Sequence, residues 1–137
     1  MDVVALVTWI LAASAGLYLL LMWFANGGLR GQATKVTRFP ALILVGHPSA
    51  AVLGLLVWIG YLLSGAAVYA WTAFAALLVT IAQGVLLFTR WLIGHGGRHA
   101  RGTDQPFPAA AVVIHGLVAA ATLVLVLVTA INAGSRP

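Results

Sequence analysis

The chain has 137 residues, 63% of them hydrophobic and only 7% charged, with a mean hydropathy of +1.09 and a formal net charge of +5. A soluble domain carries about a quarter charged residues, and one of this size leaves too much surface exposed to hide so much apolar side chain, so the composition is that of an integral membrane protein. With no cysteine, disulfides, thiolate metal sites, iron–sulfur clusters and covalently attached c-type haem are excluded, and the basic residues stand in the gaps between apolar blocks rather than in a nucleic-acid-binding patch.

Four apolar blocks follow along the chain: residues 3–24, 40–63, 68–93 and 108–132. Each reaches the roughly 20 residues that a helix needs to cross a hydrocarbon core of about 30 Å. β-barrel strands would be about half as long and would alternate in polarity. The first block contains Ala13-Ser14-Ala15, which has the small-residue look of a signal-peptidase site. No positive region precedes it and the apolar run continues past it, so an uncleaved span is expected. Arg30, Lys35 and Arg38 fill the gap before the second block. The second and third blocks are joined by the short, uncharged Ser64-Gly65-Ala66-Ala67. Arg90 lies near the end of the third, where it can snorkel to the interface. Gln83 lies mid-span there, as helix-to-helix glue or as the lining of a quinone or cofactor pocket.

The gap before the fourth block carries His95, Arg98, His99 and Arg101. The two histidines have i,i+4 metal-binding spacing, but Gly94, Gly96 and Gly97 oppose a continued helix, so a loop is expected there. The positive-inside rule then puts both long connections in the cytoplasm and both termini outside, as expected of a multi-pass protein of a bacterial inner membrane. Trp9, Trp23, Trp58, Trp71, Trp91, Tyr61 and Tyr69 gather toward span ends, the usual aromatic belt. Asp2 and Asp104 are the only acidic residues, and no phosphate-binding glycine loop or Ser/His/Asp set is present, so hydrolase chemistry has no visible apparatus.

A gapless shift of 68 residues lays the first half (about 1–66) on the second (about 69–134). Gly16 falls on Gly84, Trp23 on Trp91, Gly28 on Gly96, Arg30 on Arg98, Phe39-Pro40-Ala41 on Phe107-Pro108-Ala109 and His47 on His115. The predicted fold is therefore all-α, a four-helix up-down-up-down membrane bundle built from a tandem two-helix repeat with a pseudo-twofold axis along the membrane normal. Pro40 and Pro108 suit the first helical turn. His47 and His115 lie seven residues deeper, about 10 Å along each helix. In this topology the second and fourth spans are diagonal and parallel, so the two histidines share one depth and can face each other across the axis. Gly46, Ala50, Ala51 and Gly54 flank His47, and Gly116, Ala119 and Thr122 flank His115. Small residues permit close helix packing or leave room for a flat cofactor, with Gly54 and Thr122 as candidate lining. Pro48 removes a backbone donor beside His47.

Three roles are open to the pair: axial ligands of a b-type haem, structural hydrogen-bonding groups, or part of a proton, quinone or metal-ion path. In the first, Arg38, Lys35, Arg90, Arg98 and Arg101 are candidate partners for haem propionates. The positions of His47 and His115 in a four-span plan resemble the four-helix membrane b-type cytochromes, in which histidines from two helices clamp haem. The chain is also similar to small four-span membrane proteins of actinobacteria. The first resemblance implies one haem b and electron transfer in the cytoplasmic half of the membrane, with quinone or a larger membrane redox complex as its context. Many such cytochromes carry two haems, and this chain has a single intramembrane histidine pair. A non-catalytic structural or assembly subunit and a small transporter or proton relay are the alternatives.

Overall fold

The computed structural model describes residues 1–28, 41–94 and 107–135. These form four helices: α1 (Asp2–Ala25), α2 (Ala41–Ser64), α3 (Ala67–Gly94) and α4 (Ala109–Gly134). Among the described residues there is no strand. Each helix begins and ends within two residues of the hydropathy block that foretells it. With 24 to 28 residues apiece, they run about 36–42 Å at 1.5 Å per residue. All four are long and apolar enough to cross a membrane. Leu42, Leu63, Leu117 and Ile93 point outward from the bundle, as lipid-facing side chains of a membrane helix do.

The helices form a ring in which α1 and α3 each pack against both α2 and α4. The diagonals are therefore α1 with α3, and α2 with α4. The tightest partnerships are α2 with α3 and α1 with α4. The α2–α3 link is made by Gly65, whose φ of 70° allows the chain to reverse at once. Its N–H donates to the carbonyl of Tyr61 at 2.8 Å, and Ser64 Oγ accepts the N–H of Ala66 at 3.2 Å. The helix end is thus satisfied without a long loop. Pro108 stands just ahead of α4 as its N-cap rather than inside the first turn. Pro40, its counterpart, lies outside the described residues.

One end of the bundle bears the two long connections and is called the loop end here. The other bears both termini and the Gly65 turn and is the terminal end. The core is gathered toward the terminal end: Ala5, Trp9, Trp58, Tyr61, Ala70, Ala73, Leu77, Val126 and Ala130. Trp9 fits there because Gly54 has no side chain. A Cβ at Gly54 would stand 2.9 Å from Trp9 Cζ2 and 3.1 Å from Ala76 Cβ.

Buried positions recur at the 68-residue offset: Ala5 and Ala73, Trp9 and Leu77, Ala12 and Thr80, Trp58 and Val126, Tyr61 and Thr129. The two halves thus turn corresponding faces inward.

Candidate functional site

His47 enters the bundle from α2 and His115 from α4, the diagonal and parallel pair. Their ring centroids are 6.1 Å apart and their planes meet at 79°. The matched depth read from the sequence is therefore realised as an opposed pair across the axis.

Each ring is tied to a neighbouring helix. His47 Nδ1 lies 2.9 Å from the carbonyl oxygen of Thr80 on α3, and His115 Nδ1 lies 2.9 Å from that of Ala12 on α1. A carbonyl oxygen only accepts, so Nδ1 carries the proton in both rings. In the neutral imidazole this leaves each Nε2 with a free lone pair. Ala12 and Thr80 are themselves 68 residues apart.

The glycines at the same offset complete the arrangement. Gly16 lies against the His115 ring, where a Cβ would be 3.0 Å from Cε1, and Gly84 lies against the His47 ring, where it would be 3.1 Å away. Each glycine is one helical turn past the carbonyl that receives the imidazole N–H.

Gln83 breaks the symmetry, since Ala15 occupies its place in the first half. Its amide lies flat over Gly46, with Nε2, Oε1 and Cδ at 3.4, 3.5 and 3.7 Å from where a Cβ would be. Oε1 is buried and has no hydrogen-bond partner among the described residues. Among the described residues it makes no cross-helix bond through that oxygen.

Burial thins out at the level of the histidines. Toward the terminal end, every helix has buried residues. From His47 and His115 to the loop end, only Trp23 and Gly28 are buried among the residues described. These two pack on each other at the far end of the bundle. Small residues flank the rings, and the large apolar Leu19, Leu20, Ile43, Leu44 and Leu87 on the loop-end side are only partly buried.

The other sequence candidates distribute as follows. Gly54 is buried, but its open face is occupied by Trp9. Thr122 is buried and its hydroxyl donates to the carbonyl of Val118 at 2.8 Å. Both lie seven residues past the histidines, about 10 Å toward the terminal end. Arg90 is exposed near the end of α3, on the loop-end side of Gly84. Lys35, Arg38, His95, Arg98, His99 and Arg101 lie outside the described residues.

Sequence reasoning missed the carbonyls of Ala12 and Thr80 and the role of Gly16 and Gly84 beside the rings. The glycines were visible as a match in the repeat register, but not as neighbours of histidines on other helices. The carbonyls leave no mark, because any residue type supplies one.

Among the described residues no cluster of three or more histidine, cysteine or acidic side chains could hold a metal ion. A bare zinc ion takes three or four protein donors. Haem iron brings four nitrogen donors in its macrocycle and asks the protein for the axial positions alone.

Comparison with protein families, curated proteins and solved structures finds no match to this chain.

Proposed function

We propose that this protein is a membrane electron-transfer protein that holds one haem b between His47 and His115. The observation that carries the reading is the opposed pair itself, with both Nδ1–H groups committed to carbonyls and both Nε2 lone pairs left for a metal. Metal-bound histidines characteristically donate their other N–H in this way, which fixes the tautomer and raises the basicity of the ligating nitrogen.

The spacing fits. A metal held about 2 Å from the Nε2 of each ring would set the ring centres roughly 6 Å apart. The ring centroids stand 6.1 Å apart. The flanking residues are small, and from the rings to the loop end only Trp23 and Gly28 are fully buried among the described residues.

Bound haem would supply one-electron chemistry between ferric and ferrous iron. His47 and His115 would both hold the iron through Nε2, which would favour electron transfer over oxygen binding. The carbonyls of Ala12 and Thr80 would hold the imidazoles in one orientation through the redox change. Arg90, together with Lys35, Arg38, Arg98 and Arg101 by their place in the sequence, belongs to the loop end, where cations would pair with propionates. The same charges argue for a cytoplasmic loop end by the positive-inside rule. Quinone or a partner subunit of a redox complex would be the exchange partner.

The test is the visible spectrum of the detergent-purified protein produced with ample haem. A sharp α-band on dithionite reduction, lost in both His47→Ala and His115→Ala, is expected. A colourless protein overturns the proposal and leaves the histidines as hydrogen-bonded helix glue in a non-catalytic membrane subunit.

A further inference from the structure

We infer that Gly16 and Gly84 are positioning residues that, with the carbonyls of Ala12 and Thr80, seat the two imidazoles in nearly perpendicular planes. This rests on the haem reading above and adds to it which residues set the ligand orientation. The histidines belong to α2 and α4, but the surfaces that orient them belong to α1 and α3.

The argument begins with steric room. A ring can approach a helix closely enough to reach a backbone carbonyl only where no side chain intervenes. At 3.0 and 3.1 Å from Cε1, an added methyl would stand well inside the 3.5–4.0 Å optimum for carbon contacts. The ring would have to withdraw by several tenths of an ångström or rotate. Nδ1 lies only 2.9 Å from its carbonyl, so withdrawal stretches that bond and rotation misaligns it. Each seat thus has two parts: a carbonyl that holds the N–H and a glycine one turn later that admits the ring. The recurrence of both parts at a 68-residue offset makes chance close approach a poor explanation.

The two seats face each other from α1 and α3, and between them they fix the 79° angle between the rings. That angle has an electronic consequence. Imidazole planes near perpendicular leave the iron dxz and dyz orbitals close in energy. Low-spin ferric haem then shows one dominant, large g value, whereas near-parallel planes give a well-resolved rhombic spectrum. The carbonyl bonds would also strengthen imidazole donation to a bound iron and favour its ferric state. Weakening them should move the midpoint potential upward.

The experiment compares the unaltered protein with Gly16→Ala, Gly84→Ala and Gly116→Ala by electron paramagnetic resonance and redox titration. Gly116 is the control, since it adjoins His115 in sequence but a Cβ there would meet nothing within 4 Å. The unaltered protein and Gly116→Ala should share the large-g spectrum and one potential. Gly16→Ala and Gly84→Ala should shift toward a rhombic spectrum, with higher potentials. Identical spectra and potentials in all four haem-bearing proteins overturn the inference while leaving the haem proposal intact.

If neither alanine variant folds, 15N-histidine NMR of the unaltered detergent-solubilised protein asks the same question. Protected Nδ1–H protons on both rings support the seats; rings exchanging freely between tautomers overturn them. Absence of haem from the unaltered protein defeats the functional proposal, and the NMR measurement then still reads whether the seats exist.

Discussion

Gly54 tests how the two halves solve one packing problem with different side chains. Gly54 sits against Trp9 in the first half; the residues at the same repeat positions are Thr122 and Leu77. Of the equivalent residues, the first half has the larger on α1 (Trp9 against Leu77) and the smaller on α2 (Gly54 against Thr122). A methyl at position 54 would lie 2.9 and 3.1 Å from two Trp9 ring carbons and 3.1 Å from Ala76 Cβ. The carbon–carbon optimum is about 3.5–4.0 Å, so two or three contacts are overlapped by roughly half an ångström. Overpacking of this kind costs about 1–3 kcal/mol. Alanine regains up to about 1 kcal/mol as the better helix former, leaving Gly54→Ala destabilising by roughly 1–2 kcal/mol. Replacing Trp9 with the leucine of the other half removes the ring that the methyl strikes. Gly54→Ala made in a Trp9→Leu background should then cost at least about 1 kcal/mol less than in the parent, a coupling of the size seen between contacting residues. Reversible unfolding in mixed micelles of the parent, both single variants and the double variant measures it. Equal cost in the two backgrounds would refute the argument and put the strain at the Ala76 methyl.

Thr129 is 2% exposed and its hydroxyl has no hydrogen-bond partner among the described residues, so Thr129→Val should leave stability unchanged or raise it by about 1 kcal/mol, measured by the same unfolding assay. Gln83→Leu should likewise be neutral or stabilising by up to about 1 kcal/mol; a loss of about 2 kcal/mol or more would show that the amide joins helices after all. Pro48 stands inside α2 and cannot donate to the carbonyl one turn earlier, so Pro48→Ala should restore that bond and gain about 1 kcal/mol, read by unfolding. The chain has no cysteine, so single replacements at Ala33, Thr103 and Ser135 give clean topology probes: an impermeant thiol reagent added to intact cells should label only the last.

The four spans were legible because a bilayer imposes a length and a polarity that few other environments demand. The histidine pair was legible for a similar reason. Two rare polar residues at one offset, each seven residues past a proline, place themselves at one depth once the helices are known. What Gly54 makes room for was not legible, because its free face belongs to Trp9, which comes from another helix and from 45 positions earlier. Helical offsets along one chain identify neighbours on that helix only. The bonds to Ala12 and Thr80 were hidden for a deeper reason: a backbone acceptor is present at every position, and only the packed bundle selects one.

The distribution of bulk along the axis joins the stability of the bundle to its site. Without a hydrophobic force between helices in lipid, association depends on close packing. Trp9, Trp58, Leu77 and Val126 provide it in the terminal half, where all are buried. Had the same filling continued to the loop end, the imidazoles would have had side chains between them rather than each other. Instead glycines face the rings, and only Trp23 and Gly28 are buried beyond them among the described residues. A packed half can hold the helices in register while the other half keeps two imidazole rings 6.1 Å apart, provided the rings are restrained by bonds that do not require a filled core. The backbone carbonyls of Ala12 and Thr80 meet that condition. They belong to helices fixed by the packed half, so substitutions that loosen the Trp9 and Trp58 layer should disturb the histidine pair about two to three turns away without touching either ring.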